Sequence, residues 1–295
     1  MTELGIALSC ILVNFNDRMH LEECLPAIER SARGMDFETI VVDNNSSDGS
    51  PEYVTRNFPA VQLIRNTENV GFARANNQGV KASRGEYVLF LNTDTVIAPE
   101  ALNLLLRELK VDPAVGAVGP ALLRKDKSFQ VSFGNTVNFF SELLRKCLLN
   151  FCLRTRLKWA RKKREVGWLS AACFLARKRI VEEAGGFDEN FFLYFEDIDL
   201  CMRIRKKGGK LLYLPAAKVF HEGGATTRFR ALQSRLAYRE SQVYYYRKHN
   251  SKISLFWLRL YLRINFWVLT ARGAFRSNGR DLQRAFDQLS KKDRT

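Results

Sequence analysis

The 295-residue sequence lacks several common signals, and each absence excludes a class of protein. Its six cysteines are scattered without C-x-x-C spacing, which argues against a zinc ribbon and a thioredoxin-like motif. A chain of this length does not need a disulfide framework, so we interpret the cysteines as reduced and mostly buried. The first residues show no basic segment and no small-residue cleavage site. This predicts a first strand rather than a signal peptide, and a cytoplasmic protein.

Glycine-rich phosphate-binding motifs are also absent. No G-x-x-x-x-G-K-[ST] segment occurs, which excludes a P-loop NTPase, and no G-x-G-x-x-G segment follows the first apolar run, which argues against a dinucleotide-binding Rossmann enzyme. The phosphates of a ligand would therefore need another positive partner. A divalent cation held by Asp94 is the natural candidate.

Positive charge, in contrast, is abundant. Lys and Arg total 47 against 31 Asp and Glu, which gives a net charge of +16 and a pI near 9.8. This excess favours a polyanionic partner such as nucleic acid, an anionic membrane surface or a phosphorylated substrate. The hydrophobic content of 46% and the charged content of 26% predict a folded chain with one large domain, or one domain and an appendage.

Short apolar runs alternate with helix-length stretches in the first third of the chain. The runs predict buried strands at residues 7–13, 39–42, 61–64 and 87–91. The stretches between them predict helices at residues 19–31, 51–57 and 72–83. Later segments predict a helix at 102–110, a strand at 117–123, a strand-like run at 167–175 and a helix at 198–205. The fold class is therefore α/β, with a doubly wound parallel sheet.

Polar residues follow three of the predicted strands, at positions 14–17, 43–48 and 92–95. The carboxyl ends of parallel strands meet at one edge of a sheet, where open α/β sheets bind their ligands. The pattern therefore predicts a nucleotide-type crevice lined by acids and amides.

Two acidic segments and one histidine are candidates for chemistry there. Asp94 either offers oxygens to a hard cation or caps a turn. Glu196 and Asp197 follow the aromatic run 191–195. They either stabilise the first turn of a helix or form a general base whose pKa the apolar enclosure raises. His221, in a glycine-bearing loop, suits a metal ligand, a diphosphate contact or a structural role. His20 and His249 receive no role.

The middle and the end of the chain are more basic. Residues 138–164 carry nine cations and one acid among large apolar residues, which predicts an amphipathic excursion facing anionic lipid or a solvated basic surface. Residues 253–275 are apolar but contain three arginines, which favours an interfacial or a packed helix over a membrane span. We therefore divide the chain into a domain at 1–230 and a helical basic extension at 231–295.

Six segments resemble, in order, the family 2 inverting glycosyltransferases of GT-A fold, and among them the bacterial rhamnosyltransferases. They are ILVNFND, VVDNNSSDGS, NTENVGFARANNQG, YVLFLNTDT, GFDENFFLYFEDIDLCMRIRKKG and VFHEGG, within residues 8–227. The resemblance implies a mainly parallel sheet flanked by helices. It also implies transfer of a sugar from a UDP- or dTDP-sugar to a glycan or polyprenyl-diphosphate-linked acceptor, at the inner face of the cell membrane.

The resemblance implies site roles as well. Glu196 and Asp197 match the ED motif, with Asp197 as the general base, and Trp168 would lie on the acceptor side. Asp94 ends the segment at the DXD motif and would bind Mg²⁺ or Mn²⁺, with His221 as a further contact. Residues expected to contact the nucleotide-sugar are Asn14, Asp43, Asn69, Gly71, Asn76, Asn92 and Asp94. Asn92 replaces the first DXD acid, which leaves one carboxylate for the cation.

Three alternatives remain at this stage. A nucleotide-sugar pyrophosphorylase would share the crevice, but the loop after its first strand is expected to be glycine-rich and basic, unlike residues 14–17. A nucleic-acid-binding module would explain the charge, but no reader motif is present and acidic strand ends repel phosphates, so no nucleic-acid partner is expected. A non-catalytic membrane scaffold would keep the basic run without needing Asp94, Asp197 and His221 together.

Overall fold

Ten strands of the described chain form one mixed, mainly parallel sheet in the computed structural model. The structure describes residues 6–135, 137–139, 160–223 and 231–271. From one edge to the other, the strands of the sheet are Gln62–Arg65, Phe37–Asp43, Leu8–Asn14, Tyr87–Asn92, Cys173–Arg177, Val115–Leu123, Lys210–His221 and Thr95–Ile97. Two short strands pair beside this path, Phe129–Gln130 with Val115–Leu123 and Arg164–Glu165 with Lys210–His221. The predicted α/β class is therefore confirmed.

The first half of the sheet is the doubly wound unit that the sequence predicts. Four parallel strands are β1 (Leu8–Asn14), β2 (Phe37–Asp43), β3 (Gln62–Arg65) and β4 (Tyr87–Asn92). The helices that connect them are α1 (Arg18–Ser31), α2 (Ser50–Asn57) and α3 (Phe72–Ala82). Pro51 stands in the first turn of α2, where its fixed φ and missing N–H cost nothing.

The second half mixes strand directions. Its elements are β5 (Thr95–Ile97), α4 (Ala101–Val111), β6 (Val115–Leu123), β7 (Phe129–Gln130), β8 (Phe133–Gly134), β9 (Arg164–Glu165), β10 (Trp168–Leu169), β11 (Cys173–Arg177), α5 (Lys178–Glu183), α6 (Glu196–Lys206) and β12 (Lys210–His221). The apolar run at 167–175 is not one strand. A turn after Leu169 divides it, so that β10 pairs with β8 in a separate small sheet while β11 inserts antiparallel between β4 and β6.

Alternation along the strands gives the sheet two apolar faces. Cys10 and Leu12 belong to the cluster that α1 and α4 cover, whereas Ile11 belongs to the cluster that α3 and α6 cover. This sandwich buries both faces of the parallel strands, as continuous apolar runs require. Four cysteines in the described chain, Cys10, Cys24, Cys173 and Cys201, are buried and free, as predicted.

Two helices follow, α7 (Ala231–His249) and α8 (Lys252–Ala271). A third apolar cluster joins them to the loop before α6, with Phe191 and Phe195 packed among Tyr245, Tyr246 and Leu258. No helix in the described part of the chain is long and apolar enough to cross a membrane. Most of the predicted basic excursion, residues 140–159, lies outside the described residues, as do residues 272–295.

Candidate active site

The strand ends that carry polar residues meet at one edge of the sheet. Asn14 is level with Asp43 across β1 and β2, and Val13 is level with Asn92 across β1 and β4. The residues after each strand therefore gather at the same edge, as the order of the strands requires.

Asn14 and Asp43 form a buried hydrogen-bonded pair at this edge. Asn14 Nδ2 donates to Asp43 Oδ1 at 2.8 Å and to Ser46 Oγ at 3.0 Å. The backbone N–H of Ser46 donates to Asp43 Oδ2 at 2.9 Å. Both residues are at most 2% exposed. Their side chains thus hold the loop after β2 in place against the end of β1.

The segment before α3 lies against the loop that precedes α6. Asn69 Oδ1 accepts from the N–H of Gly71, and the N–H of Phe72 donates to the carbonyl oxygen of Phe192 at 2.9 Å. Gly71 has φ +86°, and a Cβ there would lie 2.8 Å from that oxygen, so the close approach requires glycine. Asn76 is buried in α3 and donates to the carbonyl oxygen of Phe72.

Asp94 and His221 face each other at the other end of this edge. Asp94 is in the turn between β4 and β5, and His221 ends β12, level with Thr95 of β5. Asp94 Oδ1 is 3.2 Å from His221 Nε2, and the N–H of Gly223 donates to Asp94 Oδ2 at 3.1 Å. Burial would raise the pKa of Asp94, but the hydrogen bond and charge of His221 outweigh it and lower the pKa. The carboxylate is therefore ionised at neutral pH.

These two side chains fit a divalent cation. Two neighbouring ligands of an octahedral cation, each about 2.1 Å from it, are about 3 Å apart, close to the measured separation. Gln130 Oε1 lies 3.0 Å from His221 Nδ1 and can accept its proton, so a bound cation could replace the proton through which Nε2 hydrogen-bonds to Asp94. No three His, Cys, Asp or Glu side chains of the described chain form a complete metal site. A cation here would take its other ligands from substrate and water.

Asn92 completes this corner with an amide. Its Nδ2 is 3.5 Å from His221 Nε2, and its backbone N–H donates to the carbonyl oxygen of Ala172. The side chain thus adds no charge beside Asp94, as the sequence predicts for an amide at this position.

A second layer around Asp94 contains a residue that sequence reasoning missed. His20 of α1 lies between Asp17 and Glu222, with its Nε2 3.3 Å from Glu222 Oε2 and its Nδ1 hydrogen-bonded to Asp17. Burial would lower the pKa of His20, but the two carboxylates outweigh it and raise the pKa. His20 and Glu222 line the same pocket as Asp94 and His221. The available sequence signal was the three-residue spacing of Asp17 and His20, which places the two side chains next to each other at the start of α1.

Glu196 and Asp197 begin α6 after an unusual turn. Tyr194 and Phe195 both have left-handed backbones, with φ +71° and +68°, and Phe195 occupies the N-cap position. Asp197 Oδ2 accepts from the N–H of Ala171 at 3.1 Å, and its Oδ1 accepts from the N–H of Ile198 at 2.8 Å. Asp197 therefore does satisfy one first-turn N–H, in agreement with the helix-stabilising alternative, but it also reaches across to another loop.

That contact connects Asp197 to the candidate cation site formed by Asp94 and His221. Ala171 binds Asp197, and the adjacent Ala172 accepts from the N–H of Asn92 at the end of β4. Asn92 is two residues before Asp94. The start of α6 and the end of β4 are thus tied to one short loop.

The two acids at the start of α6 differ in environment. Glu196 is 5% exposed, and burial followed by the charge of Asp197 raises its pKa well above the usual range. Its Oε2 has no hydrogen-bond partner among the described residues. Burial also raises the pKa of Asp197, although the N–H groups of Ala171 and Ile198 oppose the shift. Asp197 is half-buried, so it combines partial access with an increased proton affinity.

Trp168 lies on β10, which packs against α6, the helix that carries Asp197. Its half-buried indole covers Gly134 of β8, where a Cβ would lie 2.5 Å from Nε1. The strand leads directly into the loop that binds Asp197. Trp168 is thus three residues before Ala171, whose N–H binds Asp197, and its role on the acceptor side stays a prediction.

Comparison with known proteins identifies the class of enzyme to which the chain belongs. The model of the family "Glycosyl transferase family 2" matches residues 9–185. The chain belongs to glycosyl transferase family 2. It is a glycosyltransferase, as predicted, rather than a pyrophosphorylase or a non-catalytic scaffold.

Curated relatives of this glycosyltransferase include rhamnosyltransferases. It is 28% identical over 291 residues to the N-acetylglucosaminyl-diphospho-decaprenol L-rhamnosyltransferase of Mycobacterium tuberculosis, an alignment that covers 92% of each chain. It is also 28% identical over 185 residues to the poly-β-1,6-N-acetyl-D-glucosamine synthase of Staphylococcus aureus, covering 61% of this chain and 41% of that one. The predicted resemblance to bacterial rhamnosyltransferases is confirmed.

Solved structures confirm the predicted GT-A fold. The mannosyltransferase PcManGT from Pyrobaculum calidifontis, in complex with GDP-Man and Mn²⁺, aligns with a TM-score of 0.61 and 20% identity over 98% of this chain and 81% of that chain. GalNAc-T7 with UDP, GalNAc and Mn²⁺ aligns with a TM-score of 0.57 and 17% identity over 74% and 44% of the chains. At these identities the likeness establishes the fold alone.

The glycosyltransferase also has a contact that its sequence did not reveal, between α7 and the turn before Asp197. The ring of Tyr238 lies 5.5 Å from that of Tyr194 and 5.2 Å from that of Phe195, and Tyr194 Oη is 2.7 Å from Ser234 Oγ. Helix α7 therefore holds the left-handed turn in place.

Charged contacts make the same connection further along α6. Asp199 is fully buried, and its carboxylate binds Arg203, His249 at 2.6 Å and Lys248 at 2.7 Å. Lys248 also binds Asp188 at 2.6 Å. His249, which received no role from sequence, thus anchors α7 to the helix that carries Asp197.

Proposed function

We propose that this glycosyltransferase moves a sugar, with rhamnose as the first candidate, from a nucleoside diphosphate to a hydroxyl of a polyprenyl-diphosphate-linked glycan in cell-surface polysaccharide synthesis. The observation that carries the proposal is the relation to the N-acetylglucosaminyl-diphospho-decaprenol L-rhamnosyltransferase over 92% of both chains. That alignment is too long to be confined to the nucleotide-binding half. We also propose that the enzyme works peripherally at the inner face of the cell membrane, where a lipid-linked acceptor resides.

Asp197 is the proposed general base. A half-buried carboxylate with a raised pKa removes a proton from an acceptor hydroxyl more effectively than a fully solvated one. Burial and the charge of Asp197 raise the pKa of the neighbouring Glu196 well above its usual range, which favours the protonated form of that side chain. Attack by the deprotonated hydroxyl on the face opposite the leaving diphosphate inverts the anomeric carbon.

The donor side uses the remaining predicted residues. Asp94 and His221 would hold Mg²⁺ or Mn²⁺, which supplies Lewis-acid stabilisation of the leaving diphosphate. Asn14 and Asp43 shape the loop that would receive the nucleobase and ribose. Asn69, Gly71 and the loop before α6 would enclose the sugar, because the Gly71 segment lies against Phe192.

A transfer assay tests the reaction. The full chain is incubated with Mg²⁺ or Mn²⁺, a synthetic polyprenyl-diphosphate N-acetylglucosamine and, in parallel, dTDP-rhamnose or UDP-sugars. We expect nucleoside diphosphate release that depends on the acceptor, and a product whose anomeric configuration, read by NMR, is opposite to that of the donor. Retention of configuration, or release with no lipid-linked product for any donor, would contradict the proposal.

The substitution Asp197→Asn tests the base. The amide keeps the size of the side chain but accepts no proton, so we expect kcat to fall by about 10²- to 10⁴-fold while the donor Kd changes less than about threefold. Asp112→Asn, at the exposed end of α4, is the matched control and should leave kcat unchanged. Weak donor binding with normal turnover in Asp197→Asn would reassign the residue to the donor site.

A further inference from the structure

The outer face of α8 is apolar and largely exposed in the described chain, although Trp257 also stacks on the ring of Phe139 at 6.4 Å. Ile253, Phe256, Trp257 and Ile264 are 66%, 60%, 42% and 54% exposed. Their spacing of three, four and seven residues puts them on one side of the helix, whereas Ser254 and Leu258 are buried on the other, Leu258 in a cluster with Tyr246 of α7. Large aromatic and β-branched side chains in one exposed row are unusual on a soluble surface and mark a contact with another phase or partner.

A row of cations runs along one edge of this face. Lys252, Arg259 and Arg263 are seven and four residues apart, so they lie one above the other on the helix, beside the apolar row. Lys252 and Arg263 are exposed. The sequence of α8 contains no acid. Residues 231–271 contain seven cations and one acid, Glu240; the cations are Arg235, Arg239, Arg247, Lys248, Lys252, Arg259 and Arg263.

This combination favours an anionic bilayer over a second copy of the chain. A two-fold contact through this face would place each cation row near its own copy, which like-charge repulsion disfavours. A membrane interface accepts both components, since apolar side chains enter the boundary of the acyl region while Lys and Arg reach phosphate headgroups. We propose that the outer face of α8 docks on an anionic lipid surface, with Ile253, Phe256, Trp257 and Ile264 inserted.

The purpose of this docking rests on the proposed function. Leu258 of α8 packs in one cluster with Tyr246 of α7, and α7 holds the turn before Asp197 through Tyr238. A membrane contact at α8 would therefore be transmitted through two packed helices to the base. This arrangement suits an acceptor whose diphosphate stays at the membrane surface while its sugar hydroxyl enters the site.

Vesicle flotation of the full chain tests docking without any acceptor or donor, so that its outcome is independent of catalysis. We expect binding to phosphatidylcholine vesicles with 30% phosphatidylglycerol, and much weaker binding to phosphatidylcholine alone. Removing the two exposed cations with Lys252→Gln/Arg263→Gln should lower the partition coefficient about 25-fold, at about fivefold per cation. Ile253→Ser/Phe256→Ser/Ile264→Ser should lower it about tenfold or more.

Matched controls separate this face from the general basic charge. Lys81→Gln/Lys207→Gln removes two exposed cations from α3 and the end of α6, and Val111→Ser removes an exposed apolar side chain from α4. Both controls should bind vesicles as the parent does. Equal losses in the controls, or binding indifferent to the α8 variants, would overturn the proposal. A dimer in light scattering that the triple serine variant converts to a monomer, with vesicle binding unchanged, would assign the face to self-association instead.

Transfer to a water-soluble acceptor measures catalysis separately from membrane docking. The α8 variants should retain it at the parent rate, because the substituted side chains are exposed on α8 and are not among the residues proposed to bind the donor or carry the reaction. Absence of transfer in every protein, with vesicle binding intact, would refute the proposed function and leave the docking surface standing. Normal transfer with no vesicle binding by the parent protein would refute the docking surface and leave the proposed function standing.

Discussion

The contact of Tyr238 with the turn before Asp197 leads to a prediction about catalysis at a distance from the reacting groups. Tyr194 and Phe195 are not glycine, yet both have positive φ, which costs about 1–2 kcal/mol for each residue. The ring of Tyr238 packs against both of their rings. Replacing it with leucine keeps an apolar side chain and removes these two aromatic contacts.

The magnitude follows from comparing the strain with the contact that opposes it. Two aromatic pairs at centroid distances of 5.5 and 5.2 Å contribute about 0.5–1.5 kcal/mol each, so the loss is comparable with the strain of the turn. Tyr245 still contacts Phe195 in the variant, at 5.4 Å, so we expect the lower half of the range, about 1–2 kcal/mol. The equilibrium constant between the competent turn and its alternatives would then fall about 5- to 30-fold, and kcat should fall by up to that factor.

Steady-state kinetics with the donor and acceptor identified by the transfer assay measure this effect. Tyr238→Leu should lower kcat with little change in the donor Kd, because the ring packs against the turn before Asp197, whereas Asn14, Asp43 and Asp94 lie at or after the ends of strands β1, β2 and β4. Tyr238→Phe keeps the ring and should restore kcat to within about twofold. A Tyr238→Leu protein with normal kcat and only a lower Tm would refute the reasoning and reduce α7 to a stabilising element.

Three further predictions concern the fold and the candidate cation site. Gly71→Ala should lower stability by about 2–4 kcal/mol in urea denaturation, because its Cβ meets a backbone oxygen, whereas Gly34→Ala, at φ +79° with open space, should cost only about 1 kcal/mol. Burial would raise the pKa of Asp188, but Lys248 and neighbouring donors hold it at about 2. Since this folded-state pKa is depressed, the stability is present above about pH 4. It should be lost toward pH 2, by about 1 kcal/mol after screening, and Asp188→Asn should lack this component. Chelation of divalent cations should stop transfer, and His221→Ala should increase the Mn²⁺ concentration for half-maximal activity about tenfold or more, while unchanged metal dependence would exclude His221 as a ligand.

The local sequence pattern was sufficient to predict most strands of the sheet and the helices between them. Strands β1 to β4 and helices α1 to α4 fall within two residues of the predicted segments, because buried parallel strands need continuous apolar runs and each connecting helix needs its own apolar stripe. The division of 167–175 into β10 and β11 was not predicted, since the turn depends on hydrogen bonds to residues far away in the chain, such as that from Ser170 to Ser132.

The residue types and their order at the strand ends are properties of the sequence alone, and they were enough to indicate a nucleotide crevice, a metal carboxylate at Asp94 and a candidate base at Asp197. The partners of these residues were decided only by the tertiary structure. His20 reaches Glu222 across 202 positions, and Tyr238 reaches Tyr194 and Phe195 from a helix that follows β12. Periodicity reports which side of an element is buried, but not which distant element covers it. Packing makes that choice, and it determines the strain and the proton affinities on which the proposed chemistry depends.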